Sequence, residues 1–133
     1  YGDTASELYS PQNNQGTLVC YNRHAAISDP YQHVGKQDIT CQVDFTSLME
    51  IGHQYGLTTV GYVKQNKFLE SLGLSSFLDT LQKLGLSPAR TELNRIAIMT
   101  LVDSKEYGDF KVLAQAKGIE FEFDLQGFRD HPT

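Results

Sequence analysis

The sequence contains no tryptophan, no long hydrophobic segment and no block of basic residues. Its 11 basic side chains are outnumbered by 16 acidic ones, and the formal charge is −5. Proteins that bind nucleic acid or an anionic membrane surface cluster their basic residues, and this sequence has no such cluster. No apolar run approaches the roughly 20 residues that a membrane-spanning helix needs. We therefore expect neither nucleic acid nor a membrane as a partner.

Residues that bind metal ions are also few. The two cysteines, Cys20 and Cys41, lack the spacing of a metal site, and His33, His53 and His131 have no ligand-like partners in the sequence. Two cysteines in a mildly acidic chain indicate a reducing compartment, with both of them as ordinary, partly buried thiols. We therefore expect no metal site.

The chain does have enough apolar material for a compact core. Hydrophobic residues make up 40% of its 133 residues, including seven Phe and seven Tyr. Residues 1–43 nevertheless show little regular pattern: 3–16 and 25–37 are typical of loops, and only 17–21 and 39–43 are typical of short strands. Long irregular stretches inside a compact domain are commonly functional.

Clearer signals begin at Asp44. This residue is a good N-cap for a helix that ends at Gly56, with Ser47 in the first turn. Residues 58–63 are rich in residues that favour β-structure and predict a buried strand. Residues 44–64 are therefore predicted to be a helix followed by a strand.

Residues 65–104 are predicted to be mostly helical. One short helix begins near Gln65, a second is capped by Ser75 or Ser76, and a third begins at Ser87-Pro88, because proline suits the first helical position. The apolar residues of this region are predicted to pack in the core. In the third helix they are Leu93, Ile96, Ala97, Thr100 and Leu101.

Residues 105–133 are predicted to contain closing strands and a tail. Residues 110–116 form one strand, and the alternation of apolar and acidic residues from 119 to 125 predicts a half-buried one. Two strands joined by several helices bury little surface on their own. The pattern is typical of the end of a larger α/β sheet.

Four motifs follow one another at compatible spacings. They are G-T-L-x-x-Y-x-x-H from Gly16 to His24, D-I-T-x-x-V-D-F from Asp38 to Phe45, Q-x-x-F-L-x-x-x-G from Gln65 to Gly73, and a last one that joins Gly108, residues 110–113 and Lys117-Gly118. Together they resemble the C-terminal half of the MidA family, whose mitochondrial member is an assembly factor for respiratory complex I. Tyr1-Gly2 is similar to the end of an Asp-Tyr-Gly sequence that closes a core strand in that family.

The resemblance implies an α/β fold: the C-terminal portion of a Rossmann-like class I methyltransferase, with a helical insertion between the last strands. Residues 1–133 would then be the C-terminal part of one methyltransferase domain, with substrate-side loops in 1–43. The implied cofactor is S-adenosylmethionine (SAM), which this fold binds at a Gly-rich turn after its first strand. The sequence has no such turn. We therefore expect the SAM site upstream, with Tyr1 and Gly2 merely adjacent to it and no catalysis by this fragment alone.

The resemblance also implies a protein substrate, such as an arginine side chain, and a cytoplasmic location, or the mitochondrial matrix in a eukaryote. Two positions depart from the family pattern. Gln42 stands where many members have His before V-D-F, and Tyr107 precedes Gly108 where Met is common. Because glutamine does not titrate, an acid–base role at position 42 is in doubt.

The polar residues of the first third, together with one helix start, are candidates for contact with a substrate. Tyr21 is favoured as a core or cleft wall over an acid, and Gln65 suits a helix start as well as a substrate contact. The full set is Tyr21, His24, Asp38, Thr40, Asp44 and Gln65.

The other candidates also have a structural interpretation. His24 either contacts substrate, or accepts a proton, or holds a loop by hydrogen bonds. Asp38 and Thr40 either line the substrate cleft or form a local turn. Asp44 is favoured as an N-cap over a catalytic carboxylate.

Two other functions compete with the methyltransferase. The first is a non-catalytic interaction module that uses the acidic surface and the helices of residues 75–102. The second is a hydrolase that uses His24 with Asp38 or Asp44 and a serine, and it is disfavoured because the sequence contains no G-x-S-x-G elbow.

Overall fold

The computed structural model describes residues 1–23, 25–119 and 124–129. They fall into two compact units, Tyr1–Ile51 and Gly52–Thr133. Within the described part of the chain, no helix is long and apolar enough to span a membrane. His24 and most of the strand predicted at 119–125 lie outside the described residues.

The first unit is built on short strands. The bounds are β1 (Gly2–Asp3), β2 (Val19–Asn22), β3 (Ala25–Ile27), β4 (Asp38–Thr40) and β5 (Val43–Asp44). β1 and β5 pair in parallel, whereas β2 lies between β3 and β4 and is antiparallel to both. The parallel pair is the part of this unit that positions the candidate site.

Close contact between β1 and β5 requires a glycine. Gly2 lies opposite Val43 and Asp3 lies opposite Asp44, and the Val43 N–H donates to the Tyr1 carbonyl at 3.0 Å. A Cβ atom at Gly2 would come within 2.6 Å of the Val43 backbone nitrogen. Any larger residue would therefore push the two strands apart.

The first unit also contains more regular structure than its sequence suggests. Its helices are α1 (Ala5–Leu8), a 3₁₀ helix (Pro11–Asn13) and α2 (Phe45–Gln54), of which α2 agrees with prediction. The predictions of loops at 3–16 and 25–37 were wrong at α1, the 3₁₀ helix and β3. One helical turn is too short to show a period, and β3 depends on its pairing with β2 rather than on local propensity.

The second unit confirms the helical insertion between the closing strands. β6 (Leu57–Lys64) pairs antiparallel with β7 (Lys111–Lys117). The connection between them contains α3 (Gln65–Ser71), α4 (Leu74–Lys83) and α5 (Pro88–Val102), and a 3₁₀ helix (Gln126–Phe128) follows β7.

The starts of α4 and α5 test two predicted caps. Ser87 caps α5 as predicted, and its hydroxyl oxygen accepts from the Arg90 N–H at 3.4 Å. The prediction of Ser75 or Ser76 as the cap of α4 was wrong, because the chain turns into that helix at Gly73 with φ of 90°. Glycine adopts this left-handed conformation without steric cost, so the helix begins earlier.

The predicted apolar stripe of α5 was also wrong in part. Ile98 is buried, whereas Leu93 is 69% exposed and Ile96 is 50% exposed. Apolar residues occur all around this helix, so their spacing does not select one face.

The contact between β1 and β5 predicts the effect of Gly2→Ala. We expect this substitution to lower the free energy of unfolding by about 1–3 kcal/mol, because the added methyl group overpacks against the Val43 backbone. Urea denaturation of the full-length protein measures the change. Gln15→Ala, at an exposed position, is the control and should stay within about 0.5 kcal/mol of the unsubstituted protein. Equal stabilities for the two variants would contradict the tight packing of β1 on β5.

Candidate functional site

Two aspartates lie side by side where the parallel strands end. Asp3 is the last residue of β1, Asp44 is the last residue of β5, and the two are partners in the strand register. In open α/β sheets, ligands bind at the carboxyl ends of parallel strands. The ends of β1 and β5 are therefore the place in the first unit where a ligand is expected.

Asp44 is fixed in place by the helix that follows it. The Ser47 N–H donates to Asp44 Oδ1 at 3.1 Å, and the Ser47 hydroxyl donates to Asp44 Oδ2 at 2.8 Å. These contacts confirm the prediction that Asp44 is the N-cap of α2. A third donor, the Tyr9 hydroxyl, lies 3.4 Å from Oδ2.

The same contacts favour the ionised form of Asp44. The hydrogen bond from the Ser47 hydroxyl is the largest cause that lowers the pKa of Asp44 below its ordinary value, followed by the bond from the Ser47 N–H. Partial burial opposes this, and the Tyr9 hydroxyl and the Thr46 N–H lower the pKa further. The contacts that cap α2 are therefore also the contacts that lower this pKa.

A concavity of about 460 Å³ opens beside Asp44. Its wall comes from the end of α1, the 3₁₀ helix, the loop before β2 and the residues before and at the end of β5. It includes Tyr9, Ser10, Asn13, Thr17, Gln42 and Asp44. The Gln42 N–H donates to the Thr17 hydroxyl oxygen at 3.2 Å, which ties the G-T-L loop to the residues before β5. Among these residues Asp44 carries the only charge at neutral pH, so the cavity favours a cation.

Three of the predicted residues lie on the antiparallel sheet. Tyr21 and Asp38 are partners across β2 and β4, and Thr40 is the partner of Val19. Because alternate residues of a strand point to one face, Tyr21, Asp38 and Thr40 share a face of this sheet. They do not line the cavity beside Asp44.

Tyr1, Gly2 and Gln65 are not among the residues that line that cavity. Gln65 begins α3 in the second unit, and its amide donates to the Leu101 carbonyl at 2.9 Å, so its described contact joins α3 to the end of α5. Tyr1 and Gly2 precede and begin β1. His24 lies outside the described residues.

Several residues at or beside the candidate site were missed by the sequence interpretation. Asp3 was missed, although an Asp after a short strand at both 3 and 44 is a signal that could have found it. Tyr9 was missed because it follows a helix of a single turn. Thr17 and Gln42 stand inside the recognised motifs, but their contact with each other is not visible in the sequence.

The described residues contain no group of three His, Cys, Asp or Glu side chains that is arranged to hold a metal ion. Both cysteines are free thiols, with Cys20 fully buried and Cys41 exposed. The prediction of two partly buried cysteines is therefore wrong, because the residues of β2 and those after β4 lie in different environments.

Residues 1–63 match the model of the family "Putative S-adenosyl-L-methionine-dependent methyltransferase". This range includes β1, the cavity and β5. No curated protein matches the sequence.

Two solved structures from Burkholderia thailandensis are similar to this chain. One is a superfamily member and "likely methyl transferase" bound to S-adenosyl-homocysteine, with 34% identity and a TM-score of 0.83. The other is an uncharacterized protein of the same superfamily, with 36% identity and a TM-score of 0.84. The matches cover 98% of this chain and only 33% and 34% of the two solved chains. These similarities support a family of SAM-dependent methyltransferases.

The similarities also support the predicted Rossmann-like α/β fold, and they raise the question of where SAM would bind. The sequence contains no Gly-rich turn. The space in which a side chain at Gly2 would lie is occupied by the Val43 backbone. The chain spans about one third of the length of these two solved relatives.

The link between Ser47 and Asp44 predicts a pH effect. Because folding lowers the pKa of Asp44, the ionised group stabilises the fold above the unfolded pKa of about 3.9, and this stabilisation is lost as the pH falls through the folded value. Ser47→Ala should raise the pKa of Asp44 towards its unfolded value, so that the loss of stability that Asp44 causes on acidification becomes smaller. NMR titration of the Asp44 carboxyl measures the first effect. Ser87→Ala, which removes the cap of α5, should leave that pKa unchanged.

Proposed function

We propose that the whole protein is a SAM-dependent methyltransferase and that residues 1–51 form the part of its site that holds the methyl-accepting group. One observation carries the proposal: paired parallel strands end in Asp3 and Asp44 beside an open cavity, within the segment that matches the methyltransferase family. SAM would be held mainly by residues beyond this portion of the protein. The solved relative with bound S-adenosyl-homocysteine supports that choice of cofactor.

The chemistry of methyl transfer suits these residues. The sulfonium methyl of SAM is already activated, so the protein must chiefly align the acceptor, remove water and hold the acceptor nitrogen. The Asp44 carboxylate would accept an N–H of that nitrogen, and Ser47 would keep the carboxylate ionised and oriented. The amide groups of Asn13 and Gln42 add neutral polar contacts along the wall.

The finer assignment rests on the four motifs. We propose membership in the MidA family and an arginine or similar basic side chain of a protein as the acceptor, acting in the cytoplasm or, in a eukaryote, in the mitochondrial matrix. The negative charge of Asp44 in an otherwise uncharged cavity supports a cationic acceptor.

One observation favours the competing role of an interaction module. Apolar side chains of α4 and α5 are more exposed than is usual for a helical pair, with Phe77 at 54%, Leu93 at 69% and Ile96 at 50%. These helices would contact a partner without any cofactor. The two functions differ in whether SAM binds.

The proposal is tested by titrating the full-length protein with SAM in a calorimeter. We expect saturable binding at micromolar to millimolar SAM and release of S-adenosyl-homocysteine when a protein substrate is supplied. Absence of binding at millimolar SAM would remove the catalytic function and leave the interaction module.

Asp44→Asn separates the charge of Asp44 from its structural role. Asparagine is as good an N-cap as aspartate, so the fold should be kept. We expect kcat/KM for methyl transfer to a basic substrate to fall by about 10- to 100-fold, because a charge-assisted hydrogen bond is lost. Asp79→Asn, on α4, is the matched control and should leave the rate unchanged. Equal rates for the two variants would contradict the role of Asp44.

A further inference from the structure

Tyr9 contacts the candidate site through its hydroxyl group. The residue follows α1, its side chain is largely free of protein contact at 76% exposure, and it lines the cavity together with Asp44. Its hydroxyl donates to Asp44 Oδ2. The aromatic ring therefore stands at the cavity wall with much of its surface available to a ligand.

The hydrogen bonds of Asp44 are unequal. The Ser47 hydroxyl reaches Oδ2 at 2.8 Å, a normal length for this kind of bond, whereas the Tyr9 hydroxyl is at 3.4 Å. Hydrogen bonds of this kind weaken beyond about 3.0 Å. Ser47 thus fixes the carboxylate, and Tyr9 makes the contact that a ligand can replace.

The chemistry of the cavity determines which ligand would replace it. A carboxylate oxygen has two acceptor sites, so an incoming N–H donor can take the one that Tyr9 occupies while Ser47 keeps the other. A cationic nitrogen binds there more strongly than a neutral one. The ring of Tyr9 is a second binding element, since the face of a tyrosine attracts a cation.

We propose that Tyr9 is a positioning residue that covers the Asp44 carboxylate until a cationic nitrogen displaces its hydroxyl, after which its ring packs against the cation. The proposal rests on the proposed function, in that the cation is the methyl-accepting group. An exposed side chain changes rotamer in picoseconds to nanoseconds, so the exchange requires no movement of the backbone.

The hydroxyl and the ring have opposite effects on binding, which two substitutions separate. Tyr9→Phe removes the cover and keeps the ring, so a cation should bind as tightly as before or up to about fivefold more tightly. Tyr9→Ala removes both, and its affinity should be about two- to fivefold lower than that of Tyr9→Phe. Tyr31→Phe and Tyr31→Ala are matched controls, because Tyr31 is 86% exposed in the same unit and does not line the cavity.

The probe is methylguanidine, with methylurea as its neutral analogue, added to the full-length protein. Tyrosine labelled in the ring reports binding by NMR, and the Tyr9 signal is identified by its loss in Tyr9→Phe. We expect saturable shifts of the Tyr9 signal with methylguanidine and none with methylurea. The Kd values of the Tyr9 variants are obtained from shifts of backbone amides around the cavity, and thermal unfolding verifies that each variant is folded.

Three results would overturn the proposal. They are equal Kd values for Tyr9→Phe and Tyr9→Ala, Tyr31 substitutions that change Kd as much as the Tyr9 substitutions do, or no saturable binding of methylguanidine. Probe binding does not require methyl transfer, so the two proposals fail separately. Methyl transfer without a difference between the Tyr9 variants rejects the role of Tyr9 alone. If the Tyr9 variants show the expected Kd values but the protein does not bind SAM, only the proposed methyltransferase function is rejected.

Discussion

The parallel pairing of Gly2–Asp3 with Val43–Asp44 is the contact on which the candidate site depends. It joins two segments that are distant in sequence and brings two aspartates into register at the end of their strands. Gly2 makes this possible because its hydrogen atom leaves space for the Val43 backbone. This pairing places α1, which Tyr9 follows, near the start of α2, and the Ala5 N–H then donates to the Thr46 hydroxyl oxygen at 3.0 Å.

The Asp44 carboxylate has three roles in the candidate site. One carboxylate caps α2 through Ser47, carries the charge of the cavity and meets the hydroxyl of Tyr9. The interactions that stabilise the helix are also those that lower the pKa of the group. Stability and ligand binding are thus connected at one residue, so a conservative change to asparagine is more informative there than a truncation.

Local signals in the sequence predicted much of this structure. Asp44 with Ser47, and Ser87 with Pro88, determine helix starts through contacts within three residues, and both predictions agree with the structure. The strands 58–63 and 110–116 were found within one residue of β6 and β7 at each end because β-rich residues are continuous there. The order of these elements indicated the end of an α/β sheet, and the resemblance to the MidA family implied the helical insertion between the last strands.

Features that depend on distant residues could not be predicted in this way. The pairing of β1 with β5, the strand β3 and the contact of Thr17 with Gln42 arise from segments that meet only in the fold. The early start of α4 depends on a left-handed glycine, whose sequence signal is shared with helix ends. Tyr9 therefore enters the candidate site only through the structure, whereas Asp44 was predicted from the sequence as a helix cap and is found in the structure as one.

The most direct test of the account is a crystal structure of the full-length protein with S-adenosyl-homocysteine. The account predicts that the sulfur faces the cavity beside Asp44 and leaves space for an acceptor nitrogen about 3–3.5 Å from the position that the methyl group of SAM would occupy. A sulfur that is separated from this cavity by protein, with Asp44 out of reach of any acceptor, would contradict it.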